Sequence, residues 1–113
     1  MGEAQPQHLV MFTTRMGDVP VEEWLAALRD RQARARIRVR LDRLRLGNAG
    51  DAHPVGHGVW ELRIDYGPGY RVYYAQSGRD ILLLLCGGDK TTQTADIALA
   101  HAYWAEYQQR RRP

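Results

Sequence analysis

The stretch ELRIDYGPGYRVYY, residues 61–74, has two segments of alternating apolar and polar residues on either side of Gly67-Pro68-Gly69. Alternation with period two is typical of β-strands in a sheet that is covered on one face only. The glycine-proline sequence between the segments predicts a turn. We therefore expect an antiparallel hairpin whose second face is polar and carries Glu61, Arg63, Asp65, Arg71 and Tyr73.

A third strand follows this hairpin. Residues 81–86 read Ile-Leu-Leu-Leu-Leu-Cys and are apolar throughout, which indicates an interior strand covered on both faces. Gly87 and Gly88 are expected to leave that strand. The three strands are predicted at about 59–65, 70–75 and 80–86, after a loop at 49–58, and together they form an antiparallel meander.

Helices are predicted on both sides of the meander. Pro20 suits the first position of a helix at 20–30. A second helix, at about 33–46, has an apolar stripe at spacings of four, four and three, and Gly47 follows its end. Thr91 or Thr92 could cap a last helix. The two stripes are Ala33, Ile37, Leu41 and Leu44 in the second helix, and Ile97, Ala100, Trp104 and Tyr107 in the last.

The order of these elements defines the expected fold. A brief strand at Leu9–Thr13 comes first, so the order is β-α-α-β-β-β-α. This is an α+β fold with a small antiparallel sheet, an N-terminal helical hairpin and a C-terminal helix. A chain of 113 residues is enough for one domain, 1–113, and residues 1–7 and 109–113 are expected to be flexible.

The composition excludes several classes of protein. No apolar run reaches the roughly 18 residues of a membrane helix, and we expect no secretory signal at Met1–Gln7. Cys86, the one cysteine, lies in the apolar strand and is expected to be a core residue of a cytoplasmic protein. No cofactor or metal site is expected, because the four histidines have no helical i, i+4 pairing and no Gly-rich phosphate loop is present.

Arginine is unevenly distributed along the chain. Fifteen of the sixteen basic residues are arginine, and eight of them lie in residues 29–45. The planar fork of arginine donors suits phosphate and carboxylate groups. The helix of residues 33–46 is therefore expected to bind an acidic partner, either nucleic acid or an acidic protein, with Arg38 and Arg45 as RNA contacts.

The polar face of the hairpin offers groups for cutting RNA without a metal. Such a reaction needs a base for the 2′-hydroxyl, cations for the charged phosphorane and an acid for the 5′-oxygen. Arg63 and Arg71 could supply cations, and Lys90 could be the acid. The base is left open among Glu61, His53 and His57, and either histidine could instead be the acid. Tyr73 and Tyr70 could stack on bases.

The sequence also resembles a known family. The resemblance covers residues 20–105 and rests on an ordered set of motifs: Trp24-Leu25 before an arginine-rich helix, Leu46-Gly47-Asn48 through Gly50-Asp51, Glu61-Leu62-Arg63-Ile64, Gly67-Pro68-Gly69-Tyr70-Arg71-Val72-Tyr73-Tyr74, and Gly87-Gly88-Asp89-Lys90-Thr91-Thr92-Gln93. This set is similar to the addiction module killer proteins, which are HigB-like toxins of the RelE/ParE superfamily.

The resemblance implies a toxin of a type II toxin-antitoxin system that is neutralised by a helix-turn-helix DNA-binding antitoxin. It implies metal-independent cleavage of mRNA at the ribosome, with Arg71 at the position of the arginine that handles the scissile phosphate. Lys90 matches the basic position after the last strand, and RelE-like members have lysines where this chain has Glu61 and Arg63. The alternative is a ParE-like inhibitor of DNA gyrase, which acts by binding alone because one fold can serve different functions.

Overall fold

The computed structural model describes residues 6–112. The elements, in chain order, are β1 (His8–Met11), α1 (Pro20–Ala27), α2 (Arg31–Arg45), β2 (Ala52–Pro54), β3 (Val59–Ile64), β4 (Tyr70–Ser77), β5 (Ile81–Asp89) and α3 (Gln93–Arg111). A 3-10 turn at Lys90–Thr92 joins β5 to α3. The α+β class is confirmed, and the first helix ends three residues before the predicted position.

The sheet is mixed, so the expectation of an antiparallel sheet is wrong in part. Its strand order is β1-β5-β4-β3-β2, and β1 pairs with β5 in parallel while the other neighbours are antiparallel. The segment expected to be a loop at 49–58 contains the short edge strand β2, which pairs with β3. Three residues without apolar alternation give too little signal for a strand.

The α1–α2 hairpin covers one face of the sheet. Asp30 caps the start of α2, because its side chain accepts hydrogen bonds from the backbone N–H groups of Gln32 and Ala33. The stripe predicted for α2 is buried, as expected. Together with residues of β3 and β4 it forms one core: Ala33, Ile37, Leu41 and Leu44 with Leu62, Ile64, Val72 and Tyr74.

The last helix, α3, covers the opposite face of the sheet. Its predicted packing stripe is confirmed, since Ala100 and Trp104 are buried and Ile97 and Tyr107 pack against them. The second core also contains residues of the strands: Val59, Tyr73, Ala75, Leu83, Leu85 and Cys86. The expectation that the hairpin is covered on one face only is therefore wrong.

The end of β5 differs from the expectation in two ways. Gly87 and Gly88 remain within the strand, opposite Val72 and Arg71 of β4. The side chain of Asp89 caps the 3-10 turn, whereas Thr92, at the N-cap of α3, makes no side-chain capping bond to that helix.

The carboxyl end of α3 includes part of the tail that was expected to be flexible. The helix continues to Arg111, so residues 109–111 are helical. Arg110 is held there because Nη2 donates to the Thr13 carbonyl at 2.7 Å. The flexibility predicted for residues 1–5 and 113 concerns positions outside the described range. None of the helices within residues 6–112 combines the length and the hydropathy needed to cross a bilayer.

Candidate active site

The strand register gathers polar residues on the α3 side of the sheet. His53 of β2 pairs with Glu61 of β3, and Glu61 pairs with Tyr73 of β4. Arg63 pairs with Arg71 in the adjacent row. Directly opposed residues project from the same face, so all five side chains belong to one surface of the sheet.

Glu61 is the centre of this group. Its carboxylate is fully buried, and Oε1 accepts a hydrogen bond from Arg63 Nε at 2.7 Å. Oε2 accepts from the Tyr73 hydroxyl at 2.9 Å and from Nε2 of Gln93, in the first turn of α3, at 2.8 Å. Arg71 Nε lies 3.5 Å from the same oxygen. We name Glu61, Arg63, Arg71, Tyr73 and Gln93 the Glu61 cluster.

The cluster keeps Glu61 ionised. Burial acts to raise the pKa of Glu61, but the hydrogen bonds from Arg63, Gln93 and Tyr73 and the charge of Arg63 outweigh it and lower this pKa. A buried carboxylate with these donors already bound is poorly placed to accept a proton from a substrate. The contacts of Glu61 with Arg63 and Arg71 therefore favour a role in positioning the two arginines over the role of a base that the sequence allowed.

Tyr73 and Tyr70 do not offer faces to a nucleotide base. The Tyr73 ring is fully buried in the second core, and burial and the bond to Glu61 raise the pKa of its hydroxyl. Tyr70 is buried on the other face, where it packs edge-on against Trp24. Both rings are buried and leave no open face for a nucleotide base; alternation did not reveal that α3 covers the face that carries Tyr73.

The three expected cations lie together but differ in exposure. Arg71 belongs to the polar face that was expected to be uncovered, but it is 8% exposed, and its Nη1 donates to the Gly69 carbonyl at 2.8 Å. Arg63 has 40% of its side chain exposed, and Lys90 is exposed. A Cβ placed on Gly69 would lie 3.3 Å from Arg71 Nη1 and 3.7 Å from Lys90 Cβ, so both residues border the same turn.

The two loop histidines lie in different places. His53 is exposed beside the Glu61 cluster, and its Nε2 is 2.5 Å from Asp51 Oδ1. His57 has a left-handed backbone, with φ of 56°, and its ring centroid lies 4.5 Å from that of His101 on α3. His101 Nε2 also contacts the Val55 carbonyl oxygen at 2.9 Å. Only His53 therefore adjoins the cluster.

The arginines predicted to contact RNA lie on another layer. Arg38 and Arg45 project from α2, which packs on the face of the sheet opposite the Glu61 cluster. Arg38 is exposed, and Arg45 forms an ion pair with Asp42 at 3.1 Å. These residues do not share a surface with Lys90.

Two members of the site were not singled out from the sequence. Asp51 lies two residues before His53, and the register places it beside Arg63, whose N–H donates to the Asp51 carbonyl at 2.9 Å. Gln93 reaches Glu61 only because α3 begins over β3 and β4. Asp51 and His53 are two residues apart, and so are Glu61 and Arg63. Residues two apart in a strand lie on the same face, so this spacing indicates a shared face once β2 is known to be a strand.

The arrangement has the chemistry of an anion site. Two arginines share one buried carboxylate, and Lys90 lies exposed beside the turn that Arg71 borders. Exposed guanidinium and ammonium groups next to a histidine–aspartate pair could bind a phosphate and transfer a proton. Within residues 6–112, no three His, Cys, Asp or Glu side chains meet in an arrangement that could hold a metal ion.

The lowered pKa of Glu61 predicts a pH-dependent contribution to stability. This contribution should be complete above the unfolded-state pKa, which is near the ordinary 4.5, and should be lost as the pH falls through the lower folded-state pKa. The measurement is urea unfolding of the wild type and Glu61→Gln at pH values from 7 down to 3. We expect the difference in the free energy of unfolding to shrink below about pH 4.5. A difference that stays constant over this range would contradict the assignment.

Comparison with known sequences identifies a family that matches most of this chain. The family model described as "Phage derived protein Gp49-like (DUF891)" matches residues 23–103, a range that includes the Glu61 cluster, His53 and Lys90. A Haemophilus influenzae protein, described as uncharacterized, is 48% identical over 79 residues, which cover 70% of this chain and 80% of that protein. Gp49-like proteins are associated with the toxins of toxin-antitoxin systems. This chain belongs to the Gp49-like family.

Proposed function

We propose that the protein is the toxin of a type II toxin-antitoxin system, similar to HigB in the RelE/ParE superfamily, and that it cuts mRNA at the ribosome without a metal ion. One observation carries the proposal. Arg63 and Arg71 lie side by side on β3 and β4 and share the buried carboxylate of Glu61, and Arg71 and Lys90 border the same turn at Gly69, so three cationic side chains are neighbours. Positive charge fixed in advance is what stabilises a phosphorane.

The cations have different tasks in this proposal. Arg63 and Lys90 reach solvent and would contact the scissile phosphate directly. Arg71 lies behind them, and its charge would support the same phosphate from the buried side. Glu61 fixes Arg63 through the 2.7 Å bond to Nε, which leaves the Nη groups of that arginine for the substrate.

Proton transfer would use the groups on either side of these cations. His53, oriented by Asp51, would remove the proton from the 2′-hydroxyl. The 2′-oxygen would attack the phosphorus, the bond from phosphorus to the 5′-oxygen would break, and Lys90 would protonate that oxygen. The products are a 2′,3′-cyclic phosphate and a 5′-hydroxyl. His57 lies beside His101 and has no part in this assignment.

The partners follow from the same proposal. The toxin would act in the cytoplasm, would bind mRNA in the ribosome and would be neutralised by a helix-turn-helix antitoxin in a hetero-oligomer. Arg38 and Arg45, on the α2 layer, would form a second basic surface for ribosomal RNA. Phosphate contacts of this kind position a protein without reading sequence.

The proposal is tested by expressing the protein in cells and mapping mRNA 5′ ends. We expect growth arrest with new ends inside translated codons. Lys90→Ala should reduce cleavage by about 10²-fold, because it removes a cation or acid used in the transition state. Arg79→Ala is the matched control, because Arg79 is exposed in the β4–β5 turn. Growth arrest with intact mRNA and inhibited DNA supercoiling would instead indicate the gyrase-binding alternative.

A further inference from the structure

An open groove of about 600 Å³ runs along α2, on the side of the sheet opposite the Glu61 cluster. The α2 residues that line it follow one another at helical spacings of three, one, three, one and three: Gln32, Ala35, Arg36, Val39, Arg40 and Arg43. This spacing makes a straight stripe about 16 Å long, or three turns. Ile64 and Asp65, at the end of β3, form the other wall.

The centre of the groove is apolar. Val39 is 48% exposed, and Ala35, one turn before it, is also exposed. Neither belongs to the buried stripe of α2, which turns towards the sheet. Ala35 and Val39 therefore form a small apolar ridge along the floor of the groove. No other part of residues 6–112 covers this ridge.

Arginines border this ridge and are held in place. Arg36 lies over the ring of Tyr66, with 4.7 Å from Cζ to the ring centroid. Tyr66 is fixed in turn, since its hydroxyl donates to Asp30 Oδ2 at 3.0 Å. Arg40 donates to the carbonyls of Arg63 and Ala49. Side chains that are already ordered lose less entropy on binding a partner.

The positive charge of the groove is not neutralised by ion pairs among residues 6–112. Arg36, Arg40 and Arg43 form no ion pair with a carboxylate in the part of the chain that the structure describes. Asp65 is the one acidic residue among those that line the groove. The groove therefore combines an excess of positive charge with an apolar centre.

We infer that this groove binds an acidic amphipathic helix of a protein partner. Small apolar residues at i and i+4 of that helix would cover Val39 and Ala35, and flanking Asp or Glu residues would pair with Arg36 and Arg43. Three exposed turns match the length of such a segment. A nucleic acid backbone fits the groove less well, because it has no apolar group that would cover Val39 and Ala35.

This inference is independent of the proposed function. The groove and the Glu61 cluster lie on opposite faces of the sheet, so a helix in the groove need not enter the site proposed for RNA. Loss of helix binding and loss of RNA cleavage can therefore be measured separately. Lys90→Ala, for example, should leave the affinity for an acidic helix unchanged.

The test uses a labelled synthetic peptide of about 14 residues, constrained to be helical, with alanine and leucine at i, i+4 and glutamate on both flanks. Binding to the full chain is followed by fluorescence anisotropy at about 150 mM salt. We expect Arg36→Glu/Arg43→Glu and Val39→Asp each to weaken binding at least tenfold. The control is Arg31→Glu/Arg79→Glu, which makes the same change in net charge at exposed positions outside the groove and should change the affinity less than about twofold.

Two outcomes would overturn the inference. The first is an equal loss of peptide binding in the control and groove variants, which would mean attraction to net charge alone. The second is tighter binding of a single-stranded RNA of similar length, dependent on Arg36 and Arg43 and indifferent to Val39→Asp. Circular dichroism and thermal unfolding establish that each variant is folded, as expected for exposed positions.

Discussion

Replacement of Glu61 by alanine is expected to lower the free energy of unfolding by about 3–5 kcal/mol, because it removes one partner of a buried ion pair. The lost carboxylate leaves Arg71, which is 8% exposed, without its charge partner at 3.5 Å. It also leaves the buried Tyr73 hydroxyl and the amide of Gln93 without their acceptor. Each buried donor without a partner adds to the loss of stability.

The measurement is the free energy of unfolding from urea titration at pH 7. Glu61→Gln keeps an acceptor oxygen and should lose less stability than Glu61→Ala, although the charge for Arg71 is gone. Glu22→Ala, an exposed acid in the first turn of α1, is the control and should cost less than about 1 kcal/mol. A loss of similar size for Glu22→Ala and Glu61→Ala would contradict the structural role of the cluster.

The second large effect is expected for Gly87→Ala. A Cβ at this position of β5 would lie 2.5 Å from two atoms of the Trp24 ring. Trp24 packs against Tyr70 at 6.2 Å between ring centroids, so the ring cannot move away without disturbing the core between α1 and the sheet. We expect a loss of about 3 kcal/mol, the upper end for overpacked cores.

A double-mutant cycle checks this mechanism. In a Trp24→Ala background the ring atoms that meet the new Cβ are absent, so Gly87→Ala should cost much less than in the wild type. Gly78→Ala is the control: its Cβ would meet no atom within 4 Å, and its φ of 69° predicts a loss of only about 1 kcal/mol. Equal costs of Gly87→Ala in both backgrounds would rule out contact with Trp24 as the cause.

The sequence predicted those parts of the fold that depend on local periodicity. The β3–β4 hairpin, the buried stripe of α2 and the interior strand β5 all repeat with the period of their own element. The parallel pairing of β1 and the short strand β2 depend on partners that are distant in sequence. Local patterns carry no information about such pairing.

The polar residues of the hairpin face were predicted from the sequence, but their burial was not. An alternating strand looks the same whether its polar side chains meet water or meet each other beneath a helix. Glu61, Arg71 and Tyr73 compensate one another, so α3 can cover them. Asp51 reaches Arg63 because it directly precedes β2, and Gln93 reaches Glu61 from the start of α3; the sequence places neither contact.

The most direct test of the account is the chemistry of the RNA ends. Purified protein is incubated with ribosomes that are translating a defined mRNA, and the termini are sequenced. We predict 5′-hydroxyl and 2′,3′-cyclic phosphate ends with the wild type, and their near absence with His53→Ala and with Lys90→Ala, both exposed positions. Intact mRNA with the wild-type protein, or 5′-phosphate ends that persist in both variants, would contradict the role proposed for the groups around Glu61.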